Sequence, residues 1–171
     1  MKLLELADTP DGTYAGARFS DDSKAAIRKY IDKNRIPNSP DDEKLHSTIL
    51  YSRKYLPDYE AQGTYDPAMK ATPTETEIWP SQPDEDGNKK RCLVLKFDAP
   101  DLVARHESLM KKHDATYDFD EYKPHVTLSY DVGEDFNEDN LPEFGEEELE
   151  ITQEYSEDLN TDWARGTGVN K

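Results

Sequence analysis

Two short stretches, "HSTILYS" at residues 46–52 and "HVTLSYDV" at residues 125–132, each place a histidine two positions before a threonine. Strand side chains two apart share a face, so each motif sets an imidazole beside a hydroxyl. An imidazole titrates near neutral pH and can take or give a proton, and a threonine hydroxyl can donate to a developing oxyanion. If the two copies face each other across a cleft, they suit in-line displacement at phosphorus. One histidine takes the nucleophile's proton, the other protonates the leaving oxygen, and both hydroxyls hold the phosphoryl group. A single His-x-Thr says almost nothing, since a histidine at a strand start is usually exposed or satisfied in a turn. His46, Thr48, His125 and Thr127 carry meaning only as a set.

The elements that must position them repeat as well. "TYAGARF", residues 13–19, is a strand candidate, and Ser20 with two aspartates suits a helix start. Ile27, Tyr30 and Ile31 recur at helical spacing before Pro37, and "LHSTILYS" follows as a strand with His46, Thr48 and Leu50 on one side and Leu45, Ser47, Ile49 and Tyr51 on the other. In the second half "RCLVLKF", residues 91–97, is a buried strand, Asp98 and Pro100 start a helix, and Leu102, Val103, Leu109 and Met110 form its apolar stripe. Val126, Leu128, Tyr130 and Val132 then alternate with His125, Thr127, Ser129 and Asp131. Tyr14 precedes His46 by 32 positions and Cys92 precedes His125 by 33, a spacing that points to internal duplication. Between the copies, "TETEIW" (74–79) reads as a strand in a proline-rich stretch, and "ELEITQEYSEDLNTDW" reads as a last strand and a tail.

With 171 residues the chain suits one domain, 1–171, and its 38 acidic against 21 basic residues give a charge of -17. That field opposes nucleic-acid polymers and anionic membranes, so a phosphate ligand must be held locally. The one cysteine, Cys92, excludes an intrachain disulfide and reads as an inert core thiol. Without a secretory signal or an apolar span, the sequence reads as a soluble intracellular protein. His106 and His113 fall on the apolar stripe of the second helix and read as core or core-edge. No metal-ligand spacing is present, so no metal or other cofactor is expected. Lys44, Arg53, Lys54 and Lys123 flank the motifs and could offset the global repulsion of phosphate. Aromatics such as Tyr14, Trp79 and Trp163 could stack on a nucleobase or simply pack in the fold, and Glu154 and Glu157 could recognise a base or form a solvated acidic run.

With "KLHSTILYS" and "KPHVTLSY" in view, the chain resembles the 2H phosphoesterase superfamily, defined by two His-x-Thr/Ser motifs in two similar lobes. Within it, "TYAGARFSDDS" and "EYSEDLNTDW" make the chain most like the phage anti-CBASS phosphodiesterases of type one, which degrade the cyclic oligonucleotide signals of bacterial immunity. The resemblance implies an α+β, bilobal 2H phosphoesterase fold: two pseudo-twofold-related strand-helix-strand lobes around a central cleft, at about 13–80 and about 90–171. It implies metal-independent catalysis by His46, Thr48, His125 and Thr127, and substrate binding by Tyr14, Trp79, Glu157 (with Glu154 as the alternative) and Trp163. The substrate would be a cyclic di- or trinucleotide such as cGAMP, cleaved in the cytoplasm of an infected bacterial host. Nothing in the sequence points to an obligate protein partner. Two other readings stay open: a 2',3'-cyclic phosphodiesterase or RNA end-processing enzyme with the same tetrad, and a non-catalytic acidic protein that sequesters nucleotides.

Overall fold

Ala15, Ala17 and Phe19 alternate with Tyr14, Gly16 and Arg18, and that alternation decides which face of the sheet is core. In the computed structural model, which describes residues 12–80, 86–117, 121–145 and 147–159, these residues form strand β1, Gly12–Phe19. Ser20 ends the strand and caps helix α1, Asp21–Lys33, its Oγ accepting from the N–H of Ser23 while Asp21 and Asp22 complement the helix dipole. Ile27, Tyr30 and Ile31 are the buried stripe of α1. Then come β2 (His46–Ser52), β3 (Gly63–Pro80), β4 (Arg91–Asp98), helix α2 (Pro100–His113), β5 (His125–Ser129) and β6 (Leu149–Leu159). Pro100 opens α2, where its missing N–H costs nothing, but Ala99 holds the cap position and Asp98 makes no cap.

The order across the sheet is β2-β1-β6-β3-β4-β5, with every neighbouring pair antiparallel. The expected α+β class is thus realised, with β1-α1-β2 and β4-α2-β5 as the two strand-helix-strand units. The 18-residue β3 joins them: its first part pairs with β6 and its second, from Thr72 to Pro80, with β4. "TETEIW" is only the later part of this strand. Pro67 and Pro73 obscured the rest, and both sit at register shifts, where a residue without an N–H is tolerated. β6 crosses back to lie between β1 and β3, so contiguous chain does not map onto contiguous sheet.

The helices cover the face carrying Ala15, Ala17, Leu93 and Leu95, and with it form one apolar core. The edge strands β2 and β5 come into contact, so the sheet curls until its ends meet. Each unit's helix-to-strand loop docks on the other unit's motif strand. Ser129 Oγ donates to the Pro37 carbonyl (2.5 Å) and Tyr130 N–H to that of Asn38 (3.0 Å). Reciprocally, Arg53 N–H donates to Thr116 Oγ1 (2.8 Å) and Thr116 N–H to Ser52 Oγ (3.2 Å).

Both motif strands carry a register shift directly after the threonine. Gly16 opposes Thr48 while Ala15 opposes Leu50, and Val94 opposes Thr127 while Leu93 opposes Ser129. The extra residues, Ile49 and Leu128, stand at the same place in both copies, three after the histidine. The shifts correct the simple alternation. Leu50, expected beside His46 and Thr48, is fully buried in the core, and Tyr51, expected opposite, pairs with Tyr14. Ser129 likewise leaves the His125 face and is fully buried, and β5 ends there rather than running on to Val132.

Candidate active site

Directly opposed residues of antiparallel strands share a face, so the registers define what lies on the side away from the helices. His46 and Thr48 stand across from Arg18 and Gly16, and His125 and Thr127 from Lys96 and Val94. β6 adds Gln153, Tyr155 and Glu157, opposite Arg18, Gly16 and Tyr14. β3 adds Glu77 and Trp79, opposite Val94 and Cys92. All four motif side chains belong to half-buried residues, at the boundary between fold and solvent.

The two imidazoles are held in the same way. His46 Nδ1 lies 2.7 Å from the Lys44 carbonyl and His125 Nδ1 lies 2.8 Å from that of Lys123. A carbonyl only accepts, so in each ring Nδ1 carries the proton and Nε2 is left with its lone pair for chemistry. The lysines flanking the motifs thus contribute backbone oxygens here. Burial pushes the His125 pKa down, its bond to Lys123 offsets part of this, and repulsion from His46 lowers it further. The two histidines therefore share one electrostatic environment.

Around His46, the Tyr14 hydroxyl is 2.9 Å from Thr48 Oγ1, and the Tyr14 and Tyr155 rings stand edge-on to the imidazole at 6.2 and 6.4 Å. Burial, with a contribution from Tyr155, raises the Tyr14 pKa well above the ordinary tyrosine value, so its hydroxyl stays protonated. Around His125, the Trp79 ring packs edge-on at 4.4 Å. Trp79 Nε1 donates to Glu77 (2.8 Å), whose other oxygen accepts from Lys96 (2.8 Å), while Glu75 also contacts Lys96 (3.2 Å). These bonds hold the Glu77 carboxyl below its usual range.

The structure separates the two glutamates. Glu154 is buried on the core side, where Tyr59 and Tyr65 hydroxyls, the Gln62 N–H and the Nε–H and Nη2–H of Arg105 donate to it. Burial alone would raise its pKa, but these donors more than offset that and hold it low. Glu157 is exposed on the face away from the helices, opposite Tyr14. Trp163 lies outside the described residues. His106 is buried and His113 half-buried, Cys92 is half-buried with its thiol 3.3 Å from the Tyr130 carbonyl, and Lys54 pairs with Asp114. Among the described residues, no three His, Cys, Asp or Glu side chains gather in a metal-holding arrangement, and no helix is long and apolar enough to cross a membrane.

A family model described as anti-CBASS protein Acb1 matches residues 11–166. The chain belongs to the Acb1 family. It is 35% identical over 164 residues to the anti-CBASS protein Acb1 of Enterobacteria phage T4, covering 95% of this chain and 97% of that one. A solved phosphoesterase superposes with a TM-score of 0.58 at 13% identity, over 86% of this chain and 87% of that one. E. coli LigT complexed with ATP superposes with a TM-score of 0.55 at 14% identity, over 86% of both chains. The fold is therefore the LigT-like 2H phosphoesterase fold.

Several residues around the two motifs of this Acb1-family chain carry no sequence signal of their own. Tyr155 and Arg18 sit two apart from Glu157 and Gly16 in alternating strands, a signal that shows only once the strands are aligned. Tyr122 is reached through no motif: its hydroxyl donates to the Thr48 carbonyl (2.7 Å) and its ring stacks on His106 at 4.1 Å. His106 in turn lies 2.7 Å from the carbonyl of Ile49, the extra residue of the bulge. A bulge disrupts the strand ladder locally, and these two side chains supply partners for the carbonyls there.

Proposed function

We propose that this Acb1-family chain is a metal-independent phosphodiesterase that opens cyclic di- or trinucleotide immune signals in an infected bacterial cell, and so lets a phage evade CBASS defence. The carrying observation is the matched pair of imidazoles, each bound through Nδ1 to a carbonyl two residues upstream and each beside a threonine hydroxyl. In the first step one Nε2 takes the proton of a ribose 2'-hydroxyl, the alkoxide attacks the adjacent phosphorus, and the 5'-oxygen leaves with a proton from the other imidazolium. A 2',3'-cyclic phosphate remains. With the histidine roles reversed, water then opens that ring to a terminal phosphate. Thr48 and Thr127 donate to the phosphoryl oxygens as charge builds on them. Tyr14, Trp79 and Trp163 stack on bases, and Glu157 accepts from a base edge. Glu154 has no part in recognition, because its oxygens are already taken by five donor groups.

The reading is tested by incubating the protein with a 3',3'-linked cyclic dinucleotide in excess EDTA and following ring opening by chromatography, beside His46→Ala and His125→Ala. Ring opening by the wild type, reduced roughly 10²- to 10⁴-fold in each variant, is the expected result. An intact ring for cyclic di- and trinucleotides, with turnover of nucleoside 2',3'-cyclic phosphates, would replace it with the end-processing activity. Stoichiometric ligand protection without turnover, unchanged by His46→Ala, would replace it with sequestration.

A further inference from the structure

Arg18 and Lys96 hold the same place in the two halves, each directly across its strand pair from a motif histidine. Their charges are treated differently. Lys96 is pinned by the carboxylates of Glu77 (2.8 Å) and Glu75 (3.2 Å), which cancel its charge locally. Arg18 has only neutral partners among the described residues: the Gln153 Oε1 at 3.3 Å and the Tyr155 ring, whose centroid lies 4.1 Å below the guanidinium carbon. In a chain of net charge -17, an exposed arginine beside one of the two histidines with no carboxylate partner among the described residues is unusual placement.

The platform under Arg18 is built rather than incidental. Tyr155 lies flat across Gly16, where a Cβ would meet its ring carbons at 2.5 to 2.7 Å, and it packs against Tyr14 at 6.0 Å. The ring therefore reaches from Tyr14 toward Arg18 only because position 16 has no side chain. A guanidinium stacked on an aromatic face keeps its edge donors free in one plane, the geometry that suits a phosphate oxygen pair.

We propose that Arg18, stacked on Tyr155, forms a second anion subsite that holds the phosphodiester which is not being cleaved. The inference rests on the phosphodiesterase reading, and it deepens it. The two His-x-Thr pairs engage one phosphate, and a cyclic oligonucleotide always presents another that a mononucleotide lacks. Arg18 thus selects cyclic di- and oligonucleotides over single-phosphate ligands and anchors them beside His46, while Glu157, at the opposite end of the Tyr155 face, is left for a base.

Calorimetric titration tests this with a cyclic 2'-deoxydinucleotide, which lacks the attacking hydroxyl, and with 3'-AMP as the one-phosphate probe. Arg18→Gln should weaken the cyclic ligand about 10- to 100-fold and 3'-AMP less than about 3-fold, with Arg18→Lys recovering part of the loss. Lys70→Gln, which removes a remote exposed charge, should change neither by more than about 3-fold. Equal weakening of both ligands by Arg18→Gln, or none, overturns the subsite. Arg18-dependent binding of the deoxy ligand without turnover of its ribose counterpart overturns the phosphodiesterase reading alone. Turnover with Arg18-independent binding overturns the subsite alone, and no binding by the wild type overturns both.

Discussion

The Tyr14 hydroxyl lies 2.9 Å from Thr48 Oγ1, so the side chain proposed to stack on a base also touches the hydroxyl proposed to hold the phosphate. Because burial keeps Tyr14 protonated, it can donate to Thr48 and leave the threonine proton aimed at the substrate. Tyr14→Phe keeps the ring and loses this bond. It should lower kcat roughly 3- to 30-fold with KM little changed, whereas Tyr14→Ala should raise KM as well. A Tyr14→Phe enzyme with wild-type kcat would show that Thr48 needs no help in orienting its proton.

His125 should titrate below the ordinary histidine value, because burial disfavours its charged form. Trp79, 4.4 Å away, is part of what buries it. Proton NMR titration of the imidazole signals in the free protein measures this directly. The His125 midpoint is expected below about 6.5 in the wild type and to rise toward it in Trp79→Ala. The acidic limb of the kcat/KM profile should move the same way if His125 is the first base. A wild-type midpoint above the ordinary value would remove burial as the dominant influence.

The two motifs, the two helices, five of the six strands and the later part of β3 were legible because local periodicity states them directly. The matching spacings of 32 and 33 positions pointed to the two strand-helix-strand units. What stayed hidden depends on pairing between distant stretches. The bulges at Ile49 and Leu128 reverse the faces of Leu50 and Ser129, and no alternation pattern announces a bulge. β3 hid behind prolines that fall at register shifts, and the insertion of β6 beside β1 is a long-range choice. For the same reason Arg18 and Tyr155 were missed: they become neighbours of His46 only through strand order.

Gly16 and Tyr155 should be coupled. A methyl group at position 16 would collide with the Tyr155 ring, so Gly16→Ala must push that ring off β1. The single variant should lose about 1–3 kcal/mol of stability and a large part of its affinity for a cyclic dinucleotide. In a Tyr155→Ala background, where the obstacle is gone, the same change should be nearly silent in stability. A double-mutant cycle by denaturant unfolding reads the difference. Additive losses would mean that the strain arises elsewhere in the strand.

His106 links acid stability to the shape of the Thr48 strand. Burial lowers its pKa, so the folded state keeps it neutral while the unfolded chain takes up a proton as pH falls below about 6.5. Stability contributed by this group is complete above that pH and is lost as pH falls through the folded-state value. His125, shifted the same way, adds to the slope. His106→Phe retains a ring to stack on Tyr122 but leaves the Ile49 carbonyl without its donor. It should cost about 1–3 kcal/mol near neutral pH and yet show a shallower loss of unfolding free energy on acidification. An unchanged slope would assign the acid sensitivity to other groups.

Glu154 and Glu157, three residues apart on one strand, should respond in opposite ways. Glu154 is the buried half of an ion pair with half-buried Arg105, and two tyrosine hydroxyls and a backbone N–H complete its shell. Breaking such a pair from one side leaves a charge without a partner, so Glu154→Gln should cost about 3 kcal/mol or more and show as a large fall in Tm. Glu157 is exposed and makes no such network among the described residues, so Glu157→Gln should leave Tm nearly unchanged. Its proposed role is in binding: loss of the acceptor proposed for a base edge should raise KM for the preferred cyclic nucleotide roughly 10-fold and flatten discrimination among bases. Thermal unfolding and KM measured on both variants with a panel of cyclic dinucleotides decide the matter. A stable Glu154→Gln protein with altered base preference would return the recognition role to the buried residue and require its network to open when substrate enters.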